Sequence, residues 1–148
     1  MPHFGLMDAT KMTEADAMLL RVQLHIRGGR RRFERGMLAA GIASLYDALC
    51  YAMRWYILLP EHQECLDIIG NEEFRDERDI FAVLVRSRVI SDTFDFDAFE
   101  HLVDQSLDKE TFQFDAPDVL AQIEKVMTEL EVMPFDEAAL PSGHPAAF

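Results

Sequence analysis

The segment MLAAGIASLYDALCYAMRWYILLP, residues 37–60, decides how this chain folds. Leu38, Ile42, Leu45, Leu49, Ala52, Met53 and Tyr56 recur in it at spacings of three and four, the period of one face of an α-helix. Its first half contains Ala39, Ala40, Gly41 and Ala43, side chains small enough to let a second helix approach closely. Pro60 lacks the amide hydrogen that an interior helical turn uses, so it stops the helix or opens the next turn. As the most apolar segment, it reads as the central helix.

On its N-terminal side, Thr13 opens a first helix, with Glu14 and Asp16 placed to complement the helix dipole. Ala15, Met18, Leu19, Val22 and Ile26 fall on one face of it. Gly28-Gly29 either ends this helix or softens it, since glycine is the poorest helix former after proline. Arg27, Arg30, Arg31, Arg32 and Arg35 crowd the same stretch, and Gly36 follows.

On the C-terminal side, residues 61–69 read as a short helix closed by Gly70. Asn71 is placed to cap a helix over 72–88 with Phe74, Phe81, Leu84 and Val85 inward, and 91–96 is a connector. Thr93-Phe-Asp-Phe-Asp-Ala98 then recurs as Thr111-Phe-Gln-Phe-Asp-Ala116, an offset of 18 that also matches Leu102 with Leu120. Two copies are too few for a solenoid, and the repeat reads as one helix-start device used twice. Asp97 is expected to cap a helix over 97–107, with Glu100 completing a box. Asp115 is expected to cap another over 115–131, with Pro117 in its first turn, Asp118 at the third position and Phe114 stapled onto Val119. Pro134 ends that helix. No segment shows the period-two pattern of a strand. The expected architecture is all-α, an antiparallel up-and-down bundle of about five helices over residues 13–133. A flexible N-terminus over 1–12 and a flexible tail over 134–148 flank it.

The 148 residues carry 27 Asp+Glu against 14 Lys+Arg, a net charge of -13, with 49% hydrophobic residues. That apolar content suits one folded domain, and the acidity argues against general coating of DNA or RNA or docking on anionic lipid. The charge is unevenly spread: residues 1–60 hold eight basic and five acidic side chains, whereas 61–148 hold six and 22. The longest apolar run, Trp55-Tyr56-Ile57-Leu58-Leu59, is too short to span a bilayer, and no secretory leader is visible, so the expected location is cytoplasmic. Cys50 and Cys65 are too few for a disulfide scaffold and sit at different heights beside Pro60, so both are expected to be reduced, buried thiols.

No catalytic, metal or cofactor motif emerges. Gly28-Gly29 is not followed by Gly-Lys-Ser/Thr, and no His is preceded by Glu at the three-residue spacing of helical di-iron sites. Asp92, Asp95 and Asp97 lack the alternation and glycine of a calcium loop. Glu61, His62, Glu64 and Cys65 make an unspecific donor set. The arginines at 27, 30, 31, 32 and 35 are the candidate ligand or phosphate contacts, because guanidinium pairs bidentately with phosphate. The alternatives are a solvated, dipole-compatible helix end salt-bridged to the acidic second half, and a protein-partner patch. Tyr46, Tyr51 and Trp55 are candidate interface residues, Tyr46 and Trp55 lying off the main stripe.

Residues 33–59, with Ala40, Tyr46, Ala48, Leu49 and Ala52 at the matching places, resemble the signature of HEPN domains (higher eukaryote and prokaryote nucleotide-binding). The preceding amphipathic helix and Leu84-Val-Arg-Ser-Arg-Val-Ile-Ser91 fit the same pattern, and the resemblance covers residues 13–131. It implies a helical bundle that dimerises, with relatives that are ribonucleases or partners of nucleotidyltransferases. The Arg and His of the ribonucleases, separated by four to six residues, are not matched: three residues separate Arg21 from His25, and seven separate Arg54 from His62. The fold carries over and the catalytic residues do not. The first expectation is a non-catalytic interaction module serving a nucleotide- or RNA-handling protein partner. The alternatives are an RNA- or nucleotide-acting enzyme using Arg with His25 or His101, and a structural or regulatory oligomer without a small ligand.

Overall fold

A computed structural model describes residues 12–70, 74–108 and 113–141. The helices are α1 (Glu14–Glu34), α2 (Leu38–Leu58), α3 (Pro60–Gln63), α4 (Glu77–Arg86), α5 (Phe96–Asp108) and α6 (Ala116–Glu129), followed by a 3-10 turn at Glu137–Ala139. Among the described residues there is no strand, and the chain is an all-α bundle. No helix in them is long and apolar enough to cross a membrane.

The central position of α2 is as the sequence suggests: it packs against all five other helices. Ile42, Leu45, Ala48, Leu49, Ala52 and Met53 are completely buried on it. They meet Val22 and Ile26 of α1, Ile80 and Leu84 of α4, and Ile123 and Met127 of α6 in one hydrophobic core.

The α1–α2 pair is antiparallel, and its closest approach is at the glycines. Gly28 and Gly29 do not end α1, which runs on through Glu34. A Cβ at Gly29 would lie 2.7 Å from Leu45 Cδ2 and 3.2 Å from the Gly41 carbonyl oxygen. One at Gly41 would overlap the Phe33 ring and lie 3.2 Å from the Gly29 carbonyl oxygen. The small-residue half of α2 therefore meets the glycine pair of α1, and the helical propensity lost at each glycine is offset by close packing. Gly36, at φ 77, lets the chain turn between the helices: its N–H bonds to Phe33 O at 3.0 Å, and the Met37 N–H to Arg32 O at 2.8 Å. These two bonds are the Schellman arrangement, whose left-handed position favours glycine.

Two expected caps hold. The Thr13 hydroxyl accepts the Asp16 N–H at 3.0 Å, and the Asp115 carboxylate accepts that of Asp118 at 3.0 Å. Others shift. The expected helix over 61–69 is only the single turn α3. The helix expected over 72–88 begins at Glu77, capped by Asp76, and the proposed cap Asn71 lies outside the described residues. Asp95, not Asp97, caps α5 by accepting the Ala98 N–H at 3.0 Å. The repeat does not reproduce the cap, because the counterpart of Asp95 in the second copy is Gln113, and α6 starts instead from Asp115 with Pro117 in its first turn. Asp97 pairs with Arg78 at 3.2 Å. Glu100, rather than closing a box, accepts the Tyr46 hydroxyl at 2.9 Å and Arg78 Nη2 at 2.8 Å.

Of the segments expected to be loose, residues 1–11 and 142–148 lie outside the described residues. Residues 135–141 lie along the arginine-bearing end of α1, through Phe135, Glu137 and Pro141.

Candidate functional site

The five arginines are clustered in sequence but diverge in space. At about 100° per residue, positions 27, 30, 31, 32 and 35 fan over roughly 200° of the helix circumference. Arg27 and Arg30 turn towards α6 and the C-terminal segment. Arg30 meets Glu124 Oε1 with both Nε (3.2 Å) and Nη2 (3.1 Å), and Glu137 Oε1 with Nη1 at 2.9 Å. Its guanidinium lies 5.9 Å from the centre of the Phe135 ring. Arg27 is only 3% exposed and donates from Nη1 to the Pro141 carbonyl at 2.9 Å. Burial, then the neighbouring Arg31, hold its pKa below the usual arginine value, and Glu137 opposes that shift.

Arg31 and Arg35 are exposed and Arg32 is half-buried. Among the described residues, no carboxylate pairs with any of these three. Burial, then the adjacent Arg35, hold the Arg32 pKa below its ordinary value.

The candidate interface aromatics separate as well. Trp55 is 7% exposed and belongs to the core, its ring edge-on to His62 at 6.2 Å. Tyr51 is half-buried, with the His25 ring stacked on it at 5.8 Å and the Arg21 guanidinium 5.3 Å from its centre. Tyr46 is half-buried and tied to Glu100. Burial, then Cys50, then that hydrogen bond raise its pKa. His101 is exposed on α5.

Tyr46 and Tyr51 line a groove of about 340 Å³ together with Asp47, Cys50, Arg54 and Glu77. Arg54 and Glu77 pair across it at 2.8 Å. Burial, then Glu77, push the Cys50 thiol up to about 12, so its thiolate is scarce at neutral pH. Asp47 is likewise raised by burial. A larger groove of about 520 Å³ is lined by Arg78, Phe81, Phe94, Asp95 and neighbouring residues of the α4–α5 connector. Neither groove includes any of the five arginines. Among the described residues, no cluster of three or more His, Cys, Asp or Glu is arranged to hold a metal ion.

Both cysteines are free, but neither is fully buried as expected: Cys50 is half-buried on α2, and Cys65 is exposed because the chain leaves the helix two residues before it. Iodoacetamide at pH 8 is expected to alkylate Cys65 and leave Cys50 intact in the folded protein. Peptide mass mapping reads both sites, and Cys50 should react only in denaturant.

His62, which the sequence placed in an unspecific donor set, is instead held in the interior by structural contacts. It is 8% exposed and stacks on Tyr56 at 3.7 Å. Its Nδ1 lies 2.8 Å from the Tyr56 carbonyl and its Nε2 2.6 Å from Glu131 Oε2. Pro60 begins the turn α3 that swings His62 back under α2.

Comparison of the chain with family models, with curated proteins and with solved structures yields no match.

Proposed function

We propose that this chain is a non-catalytic helical interaction module, HEPN-like in its pattern, that docks an acidic or phosphate-bearing surface of a nucleotide- or RNA-handling protein partner. The dimer implied by the resemblance belongs to the same proposal. The observation that carries it is the outward set of Arg31, Arg32 and Arg35, three cations with no carboxylate partner among the described residues on a chain of net charge -13. A protein with this excess of carboxylates has partners available for surface arginines, yet among the described residues none pairs with these three. Exposed guanidinium groups cost little to hold at a surface and bind phosphate or carboxylate through paired hydrogen bonds. Such a patch gives orientation and association rate rather than deep affinity, and it weakens with salt.

The test is binding of a short single-stranded RNA and of an oligoglutamate peptide at low ionic strength. The wild-type chain should bind at least one of the two, and Arg31→Gln/Arg32→Gln/Arg35→Gln should weaken that binding tenfold or more with an unchanged melting temperature, an order expected for three lost charge contacts. Equal binding by the two proteins, or no binding of either probe by the wild type, overturns the proposal.

A further inference from the structure

We infer that the groove between the starts of α5 and α6 is a docking surface for a segment of a partner protein that presents one bulky apolar side chain flanked by lysines or arginines. This surface takes cations rather than anions and does not rest on the docking role of the α1 arginines.

The two copies of the helix-start repeat meet here. Phe94, Asp95 and Ala98 of the first copy and Phe114 and Asp115 of the second line a groove of about 270 Å³. Phe99, Leu102 and Val119 complete its floor. The floor is held from beneath: Phe94 and Phe99 pack at 5.9 Å and are 7% and 6% exposed, and Phe114 lies edge-on to Phe33 of α1. A cavity of about 150 Å³ admits benzene, so the groove has room for one large apolar side chain and not for a whole helix.

Three exposed aspartates rim the floor. Each has one carboxylate oxygen engaged by a neutral donor. Asp95 and Asp115 cap their helices at 3.0 Å, and Asp118 accepts Gln122 Nε2 at 2.7 Å. The other oxygen of each is left over: among the described residues no Arg or Lys pairs with these three, and no basic residue lines the groove. The two helix starts supply about half a positive charge each against three carboxylates, so the rim stays negative.

An apolar floor inside an acidic rim selects its occupant by charge and by shape. It repels phosphate groups and anionic lipid, and a polyamine brings charge but nothing that fills the floor. A segment with Leu or Phe between Lys or Arg residues satisfies both, burying the apolar side chain while its cations stay hydrated at the rim. Ion pairs in such a setting are individually weak and screened by salt, which suits a transient contact.

The experiment is titration of the full-length, isotope-labelled chain with a blocked Lys-Lys-Phe-Lys-Lys peptide at low ionic strength, with Lys-Lys-Gly-Lys-Lys as its comparison. The amide signals of Ala98, Leu102, Asp115 and Val119 report on the groove. The Phe peptide should move them and bind about tenfold tighter than the Gly peptide. Asp95→Asn/Asp115→Asn/Asp118→Asn should weaken that binding about tenfold with an unchanged melting temperature, because Asn caps a helix as well as Asp does. Arg31→Gln/Arg32→Gln/Arg35→Gln should bind the Phe peptide at least as tightly as the wild type, so the two docking roles fail separately. No binding, equal affinity for the two peptides, shifts confined to other parts of the chain, or wild-type affinity in the Asn variant overturns the inference. Groove signals that shift with protein concentration alone would place a second copy there and overturn it as well.

Discussion

Gly29→Ala is expected to destabilise the folded chain by about 1–3 kcal/mol, although the same change in an isolated helix stabilises by about 1 kcal/mol. The added methyl would sit 2.7 Å from two carbons of Leu45, a completely buried side chain, and 3.2 Å from the backbone oxygen of Gly41. Leu45 has no open space to retreat into, and the backbone oxygen belongs to a helix that all the others pack on. The helices must move apart or Leu45 must leave its rotamer. Leu45→Ala alone should cost about 2–5 kcal/mol by leaving a cavity. In the Gly29→Ala background it should cost less, because the new methyl fills part of that cavity. Urea unfolding of the two single variants and the double variant gives the coupling, and additive costs would show that the two side chains do not share one space. Gly36→Ala, where a Cβ meets nothing within 4 Å but φ is 77, should cost about 1 kcal/mol from backbone strain alone.

His62→Ala should cost about 2–4 kcal/mol. Tyr56 lies in the last turn of α2, where carbonyls have no partner within the helix, and His62 Nδ1 lies 2.8 Å from its oxygen. Removing the ring leaves a carbonyl of this interior turn unpaired, a penalty of about 1–3 kcal/mol. It also removes a stacked ring pair, worth about 0.5–1.5 kcal/mol. The second nitrogen reaches Glu131, a residue held at φ 66 just past the end of α6, so His62 ties α2 to α6. Trp55 is the only tryptophan and lies edge-on to His62, so its fluorescence reports on this junction. His62→Ala should lower the melting temperature and shift Trp55 emission. A variant that melts as the wild type does would show that solvent replaces the imidazole at Tyr56 without loss.

Much of this fold is legible in residues 37–60. The apolar stripe, the thin half with Gly41 and the stop at Pro60 all describe α2 correctly. Trp55 is harder to place because a single stripe assumes one buried face, and α2 is covered by five neighbours. Gly28-Gly29 reads as a weakness when α1 is taken alone; its value is visible only beside Gly41. The caps at Asp76 and Asp95 are ambiguous locally, since several acidic residues near each helix start have cap chemistry and backbone geometry selects one. The arginine cluster misleads for a simpler reason. Neighbours in a helical sequence point in different directions, and which of them meet Glu124 and Glu137 depends on how α6 and the C-terminal segment return to α1.

The division of those arginines into an inner, engaged pair and an outer set proposed to dock a partner is most directly measured in the Arg Nε–H spectrum of the full chain at low salt. Titration with the oligoglutamate peptide should shift Arg31, Arg32 and Arg35 and leave Arg27 and Arg30, held by Pro141, Glu124 and Glu137, in place. Silence at the outer three, or equal shifts at all five, would contradict the division.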